Sequence, residues 1–302
     1  MQTIFMQTIY RICVRVLLTT ASATFFISTP SSAQTLGATA LQQKRVAISA
    51  QLAQNQFKRP ILLDSSESKN SVTGNVYAVI DSRFTTVSDM FKDPSRWCDV
   101  FILHLNTKGC TASALPGGSK LVLHVGKKNF QELKDATQLE FSYRHTAFTA
   151  GYSAAELQAE QGPLGTKNYK IEIEAVPLPE GKTFLHLQYG YTYGNAAKFA
   201  MQGYMATVAK GKVGFTPLNE SGNELVGGVR GSVERNTMRY YLAIDAYLSS
   251  LNVPEAQQEQ TRLSKWFDST EQYARQLREI SRSEYLTMKR EELARQQSKL
   301  AK

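Results

Sequence analysis

Three stretches of strict two-residue alternation limit what this chain can fold into. From Leu139 to Ala147, the residues Leu139, Phe141, Tyr143, His145 and Ala147 fall on one side, opposite Glu140, Ser142, Arg144 and Thr146. From Asn168 to Val176, Tyr169, Ile171, Ile173 and Ala175 oppose Lys170, Glu172 and Glu174. From Thr183 to Tyr193, Leu185, Leu187, Tyr189, Tyr191 and Tyr193 share a face. A period of two with one polar side is the pattern of an antiparallel sheet buried on one face only. Pro177-Leu178-Pro179-Glu180-Gly181, between the last two runs, is turn chemistry.

The flanking segments add strands at Asn75–Asp81, Ile102–Thr107 and Lys120–Gly126, so six strands are legible, with a turn at Pro116-Gly117-Gly118. Between the first two lies a helix over Ser82–Asp93, whose apolar residues Phe84, Val87, Met90 and Phe91 suit one helical face. Pro94 ends it and opens a second short helix through Trp97 and Phe101. Gly37 to Phe57 reads as a weakly amphipathic helix on Leu41, Ile48, Leu52 and Phe57, and Asp64 to Gly74 as a linker. Helices dominate after the alternating runs. One covers Asn195–Val208, and Lys212–Thr216 follows as a short strand. A long helix capped by Ser232 runs to Leu251. Another, started by Pro254, has the stripe Leu263, Trp266/Phe267, Tyr273, Leu277, Ile280 and Leu286. Lys289 to Lys302 is polar and either frays or extends that helical region. The fold class is α+β.

Met1 to Arg15 carries Arg11 and Arg15 and no acid, Val16 to Ile27 is mostly apolar, and Ser31-Ser32-Ala33 puts small residues before Gln34. That is the layout of a cleavable leader, with an apolar run too short to span a bilayer. Cleavage after Ala33 and a periplasmic location are expected. Met1-Gln2-Thr3-Ile4 recurs as Met6-Gln7-Thr8-Ile9, so translation starts at either methionine. The boundaries expected are 1–33 for the leader, 34–73 for an N-terminal helix and linker, 74–251 for the main domain and 252–302 for a helical extension. The formal net charge of +9 falls to +7 without the leader's two arginines, which suits weak, transient attraction to an anionic membrane surface. No Lys/Arg block is dense enough for nucleic acid, and export argues against it. Outside the leader only Cys98 and Cys110 remain. In an oxidising compartment that pair favours a disulfide, with two free thiols as the alternative.

Several segments carry a resemblance. They are Gly74-Asn75-Val76-Tyr77-Ala78-Val79, Asp93-Pro94-Ser95-Arg96-Trp97-Cys98-Asp99 with Leu103-His104-Leu105-Asn106, the run Arg230 to Tyr241 (RGSVERNTMRYY), and Trp266-Phe267-Asp268. With the element order strand, two short helices, antiparallel strands, long helix, the chain resembles the START/Bet v 1-like superfamily. It looks most like an exported bacterial subgroup of it. The resemblance covers roughly Gly74 to Leu251. It implies a helix-grip fold, in which a curved sheet wraps a C-terminal helix and leaves an apolar cavity. It also implies an apolar ligand, with enzymes among its members, so fold alone does not decide function.

No nucleophile elbow, dinucleotide fingerprint or metal-binding His spacing is present, and no cofactor is implied. All four histidines, His104, His124, His145 and His186, fall on expected strands, and His145 points inward. An inward His is either a general base or a core residue bonded to a neighbour. Glu234, Arg235 and Arg239 open the long helix. Either arginine would bind an acidic head group at the cavity mouth, or both belong to an ion-pair network with Glu234 or sheet acids. The ligand-binding lining expected is Phe141, Tyr143, His145, Ile171, Ile173, Leu187, Tyr189, Tyr241 and Leu248, with Arg235 and Arg239 at the mouth. The function expected is a periplasmic binding or carrier protein for a lipid-like apolar or amphipathic molecule. The alternatives are a cyclase/dehydratase- or hydrolase-type enzyme in the same cavity, and an envelope scaffold with a filled core.

Overall fold

The computed structural model describes residues 32–207 and 211–300. All of the expected leader except its last two residues lies outside them. Two N-terminal helices, α1 (Ser32–Ala47) and α2 (Ser49–Ala53), precede an eight-stranded antiparallel sheet. Its strands are β1 (Ile61–Glu67), β2 (Ser71–Ile80), β3 (Thr107–Leu115), β4 (Gly118–Val125), β5 (Thr137–Phe148), β6 (Ser153–Gln161), β7 (Thr166–Pro177) and β8 (Thr183–Tyr193). Their spatial order is β1-β2-β8-β7-β6-β5-β4-β3. Register irregularities in β3, β5 and β7 mark bulges, which bend a sheet and sharpen its twist. Two short helices, α3 (Phe84–Lys92) and α4 (Pro94–Phe101), join β2 to β3. After β8 come α5 (Asn195–Thr207), the long α6 (Gly228–Ser250), α7 (Glu255–Glu271), α8 (Ala274–Leu277) and α9 (Arg282–Leu300).

The alternation read from the sequence sets the two faces. Leu187 pairs with Val76 on one side and Ile173 on the other; all three are buried, and α6 packs over β2 and β8. At Gly74 helix and sheet come close together. A Cβ there would stand 2.5 Å from Thr237 Oγ1, closer than any real contact. On the opposite face α1 packs against β7, and Leu41, Ile48 and Leu52 join Tyr152, Val176 and Phe184 in a second, smaller core. Asp93 caps α4 by accepting from the Ser95 N–H, with Pro94 in the first turn. Cys98 on α4 and Cys110 on β3 are joined by a disulfide.

Five expectations need correction. Asp64–Gly74 is not a linker: β1 and β2 form a hairpin across it, so the boundary expected at 73/74 falls inside β2. Side chains hold the edge strand β1 where its own pattern is weak: Asn75 donates to Asp64, and Arg230 to Ser65. Ser153–Gln161 supplies a strand that helix-favouring Ala, Glu and Gln disguised, with Leu157 pairing between Tyr143 and Ile171. Ile102–Asn106 is a series of turns, and the strand starts only at Thr107. The ammonium groups of Lys108 and Lys289 take up the carbonyls of Leu105, His104 and Thr107, which a strand would have bonded to a neighbour. Lys212–Thr216 is irregular rather than a strand, and its N–H groups at Phe215 and Thr216 donate to Glu234. The long helix begins at Gly228 with Gly227 as its cap, so Ser232 lies inside it.

The described residues form one compact unit. The expected C-terminal extension is accordingly built into it. Trp266 on α7 donates its ring N–H to the Arg239 carbonyl, and α9 inserts Tyr285, Lys289 and Glu292 against the turns before β3.

Candidate functional site

Between Gly231 and Leu248 every residue of α6 is buried except Ser232, Asn236 and Tyr240. These three are spaced i, i+4, i+8 and so form one stripe. The stripe faces inward. The Tyr240 ring lies 5.3 Å from Tyr189 on β8, 5.7 Å from Phe101 and 5.2 Å from His104. The Asn236 side chain interacts with both His104 and Tyr189. Within this stretch the helix is thus partly accessible only along the stripe that meets Tyr189, Phe101 and His104.

The filling of the interior is uneven. Around β4 and β5, α4 supplies the side chains: Phe101 stacks on Phe141 at 6.2 Å, and Trp97 meets Tyr143 at 6.3 Å. Ile171, Ile173 and Leu187 are no more than 1 % exposed and make the floor. Tyr169, Tyr189 and Tyr191 form an aromatic group beside them, closed on one side by Met201 of α5. At the end where β4 stops and β5 starts, the molecule opens into a groove of about 650 Å³ walled by Val125, Thr137, Pro163, Leu164 and Ile280, with Asn106 and Lys128.

Behind that groove wall sits His104. Its Nδ1 accepts from the Asn106 N–H at 3.2 Å, which leaves the proton on Nε2. His104 is 5 % exposed, and Nε2 makes no hydrogen bond of normal length. Burial, with Arg239, Lys289 and Lys128 nearby, pushes its pKa well below the usual histidine value, so the ring is neutral at pH 7. Deeper along the same side, Glu279 receives Lys128 at 2.7 Å, Arg239 at 2.9 Å and Lys212 at 3.7 Å. Burial raises the Glu279 pKa, but Arg239 and Lys128 outweigh it and hold the carboxyl below its ordinary range.

The structure gathers part of the expected lining and disperses the rest. Ile171, Ile173, Leu187 and Tyr189 share the inner face. Phe141 and Tyr143 share it too, but lie under α4. His145 stands at the far end of β5, partly exposed, with Ser153 Oγ 3.2 Å from its Nε2 and Phe148 against its ring. The bulge between His145 and Ala147 turns Ala147 to the convex face, where it joins the smaller core. Tyr241 points to Arg59 and Asp245 rather than to the sheet interior. Leu248 is fully enclosed. Arg239 binds Glu279 and the Leu277 carbonyl, and Arg235 the Val213 carbonyl. Glu234 is buried and accepts from Ser65, Thr216 and two backbone N–H groups. Tyr240, Asn236 and Glu279 were missed. The i, i+4, i+8 spacing of the first two with Ser232 was visible, but it marks a face only once the helix is known to be enclosed.

A histidine paired with a carboxylate does occur, on the other side of the sheet. His186 Nδ1 is 3.1 Å from Glu174 and Nε2 is 3.0 Å from Asn75 Oδ1, with Tyr152 donating to the same Glu174. This chain lies on the convex face that α1 covers and does not reach the groove. Among the described residues no group of three His, Cys, Asp or Glu side chains is placed to hold a metal ion, and no helix is long and apolar enough to cross a membrane.

Two features of connectivity decide the architecture. Two short helices stand between the first and second strands of the sheet that runs from β2 to β3, and a long helix follows its last strand across the inner face. This is the helix-grip fold of START and Bet v 1-like proteins. β1, and α7 to α9, are additions to it. No family model and no curated protein matches the chain in sequence. Among solved structures it is similar to a conserved protein from Geobacillus kaustophilus, at 12 % identity over 59 % of this chain and 95 % of that one, with a TM-score of 0.34. It is similar to Ara h 8.0201 at 9 % identity, over 63 % of this chain and 99 % of that one, TM-score 0.34. It is also similar to human StAR-related lipid transfer protein 5 at 12 % identity, over 52 % and 84 %, TM-score 0.29.

Proposed function

We propose that this chain is an exported binding or carrier protein for a small amphipathic molecule. The ligand enters through the groove beside Val125, Leu164 and Ile280 and reaches the inner stripe of α6, above the floor of Ile171, Ile173, Leu187 and Tyr189. The observation that carries this reading is the accessibility of Ser232, Asn236 and Tyr240 on an otherwise enclosed helix. The groove volume of about 650 Å³ lies within the range of small-molecule sites, and its walls combine the apolar Val125, Pro163, Leu164 and Ile280 with polar and charged side chains, which suits an amphipathic molecule. Binding without catalysis fits best, because acid–base work needs a poised pair at the substrate. The carboxylate-paired His186 is on the convex face, and His104 is held neutral with a backbone partner. The leader pattern supports export, and intact mass of periplasmic protein starting at Gln34 is the result expected.

The neutral dye 1-N-phenylnaphthylamine tests the binding reading. Its fluorescence is expected to rise on adding the wild-type protein. Leu164→Trp, which fills the groove from an exposed position, should weaken binding at least tenfold, about 1.4 kcal/mol, without lowering the melting temperature. No fluorescence gain with the wild type, or unchanged affinity in the variant, would sink the reading.

A further inference from the structure

The turns between α4 and β3 fix His104 in one tautomer and leave its donor unused. A backbone N–H can only donate, so the Asn106 N–H makes Nδ1 the acceptor and puts the ring proton on Nε2. That N–H is buried and has no hydrogen bond of normal length among the described residues. Asn236 interacts with the ring, but its Oδ1 already accepts from Arg239 at 3.5 Å. Buried donors are nearly always paired, and an orphaned one costs free energy. The position of this donor ties it to the groove. Asn106, which fixes the ring, lines the groove and donates its side-chain amide to the carbonyl of Gly126, another groove residue. The His104 ring also meets Tyr240, which in turn meets Tyr189. His104 is thus in contact both with the groove lining and with the accessible stripe of α6. The cations around it are engaged: Lys128 and Arg239 bind Glu279, and Lys289 binds Glu292. A neutral acceptor would complete His104 without disturbing an ion pair. A carboxylate would have to leave water for a place where each of these cations already holds one.

Resting on the binding reading above, we propose that the ligand is an uncharged, largely apolar molecule bearing a carbonyl group, and that the carbonyl oxygen accepts the Nε2–H of His104. The body of the ligand lies against the rings of Tyr240 and Tyr189. Asn106 is the positioning residue, since its N–H decides which ring nitrogen carries the proton. A carbonyl suits the place better than a hydroxyl, because a hydroxyl brings a second buried donor that needs its own partner. A site built around a buried donor selects by penalty: a ligand lacking the acceptor leaves the N–H unpaired.

Displacement of 1-N-phenylnaphthylamine from the full chain by 1-tetralone, tetralin and tetralin-1-carboxylate tests this. The first two share a bicyclic body and differ in the carbonyl. Burial of apolar surface alone favours tetralin, yet 1-tetralone is expected to displace the dye at least tenfold better, and better than the carboxylate. In His104→Phe the preference for 1-tetralone over tetralin should vanish. In His104→Gln, whose amide can still donate, part of it should return. In isotope-labelled wild-type protein the His104 Nε2–H resonance should move downfield with 1-tetralone and stay in place with tetralin. Displacement by tetralin that equals or exceeds that by 1-tetralone, or a preference unchanged in His104→Phe, overturns the carbonyl proposal and leaves the binding reading standing. Stronger displacement by the carboxylate overturns the uncharged ligand in favour of an acid. Failure of all three compounds also overturns this proposal, while the fluorescence gain of the dye alone decides the binding reading. If His104→Phe does not fold, the resonance decides: a shift that is absent, or the same with both compounds, overturns the contact.

Discussion

Glu292→Ala is expected to lower the unfolding free energy by about 3–5 kcal/mol, the usual loss when one member of a buried ion pair is removed. Glu292 is fully enclosed, 3.0 Å from Lys108 and 2.8 Å from Lys289, and both lysines are fully enclosed as well. Without the carboxylate, the partners left to the two ammonium groups among the described residues are backbone carbonyls and a methionine sulfur. Urea unfolding at neutral pH gives the loss directly. The combination Glu292→Leu, Lys108→Met and Lys289→Met should recover part of it, since it removes the unpaired buried charges but leaves the carbonyls of Leu105, Asn129, His104 and Thr107 without their ammonium donors. Recovery would assign the effect to charge rather than to helix packing. Burial also pulls the Lys289 pKa down to about 8. The unfolded value is about 10.4, so between about pH 8 and pH 10 the unfolded chain holds more protons than the folded one. Stability contributed by this site therefore rises with pH through that window. The urea midpoint of the wild type relative to Lys289→Met should climb there, and a relative decline would contradict the burial argument.

What the sequence revealed depended on which forces were local. β5, β7 and β8 were legible because one wet and one dry face print a period of two, and α3 and α4 because Pro94 and the apolar spacing punctuate them. β6 was hidden because its inward residues, Ala155, Leu157 and Ala159, are mostly small, and its composition favours helix. The turns at 102–106 were mistaken for a strand because Ile102, Leu103 and Leu105 are all buried. What satisfies their backbone comes from Lys108 and from Lys289 on α9, far along the chain, which no local pattern encodes. The candidate site divided the same way. Its floor of Ile171, Ile173, Leu187 and Tyr189 followed from strand alternation. Its mouth did not, because Lys128, Lys212, Arg239 and Glu279 meet only through tertiary structure. Arg239 was singled out for its place on the helix, while its partner at 279 sat in what looked like an outlying helical extension.

Reduction of the Cys98–Cys110 bond is expected to lower the melting temperature by about 6–12 °C, from roughly 3 kcal/mol of lost loop restraint and 2–4 °C per kcal/mol for a domain of this size. The two half-cystines are 12 positions apart and join α4 to the start of β3 across the turns at 102–106. Their release matters beyond stability because of what α4 carries. Trp97 and Phe101 fill the interior against Tyr143 and Phe141, and Phe101 also packs edge-on against Tyr240, the last residue of the accessible stripe. A looser α4 therefore reshapes the wall of the proposed binding space and not only the fold. Cys98→Ala with Cys110→Ala reproduces the loss of the bond without reductant. In a Trp266→Phe background, Trp97 is the sole tryptophan, and its emission should shift to the red when the bond is absent. The affinity for 1-N-phenylnaphthylamine should change in the same samples at temperatures well below the transition. Melting curves that coincide with and without the bond would show that α9 and the buried lysines already fix β3. An unmoved Trp97 spectrum would show that α4 holds its place by packing alone, and the disulfide would then have no part in shaping the site.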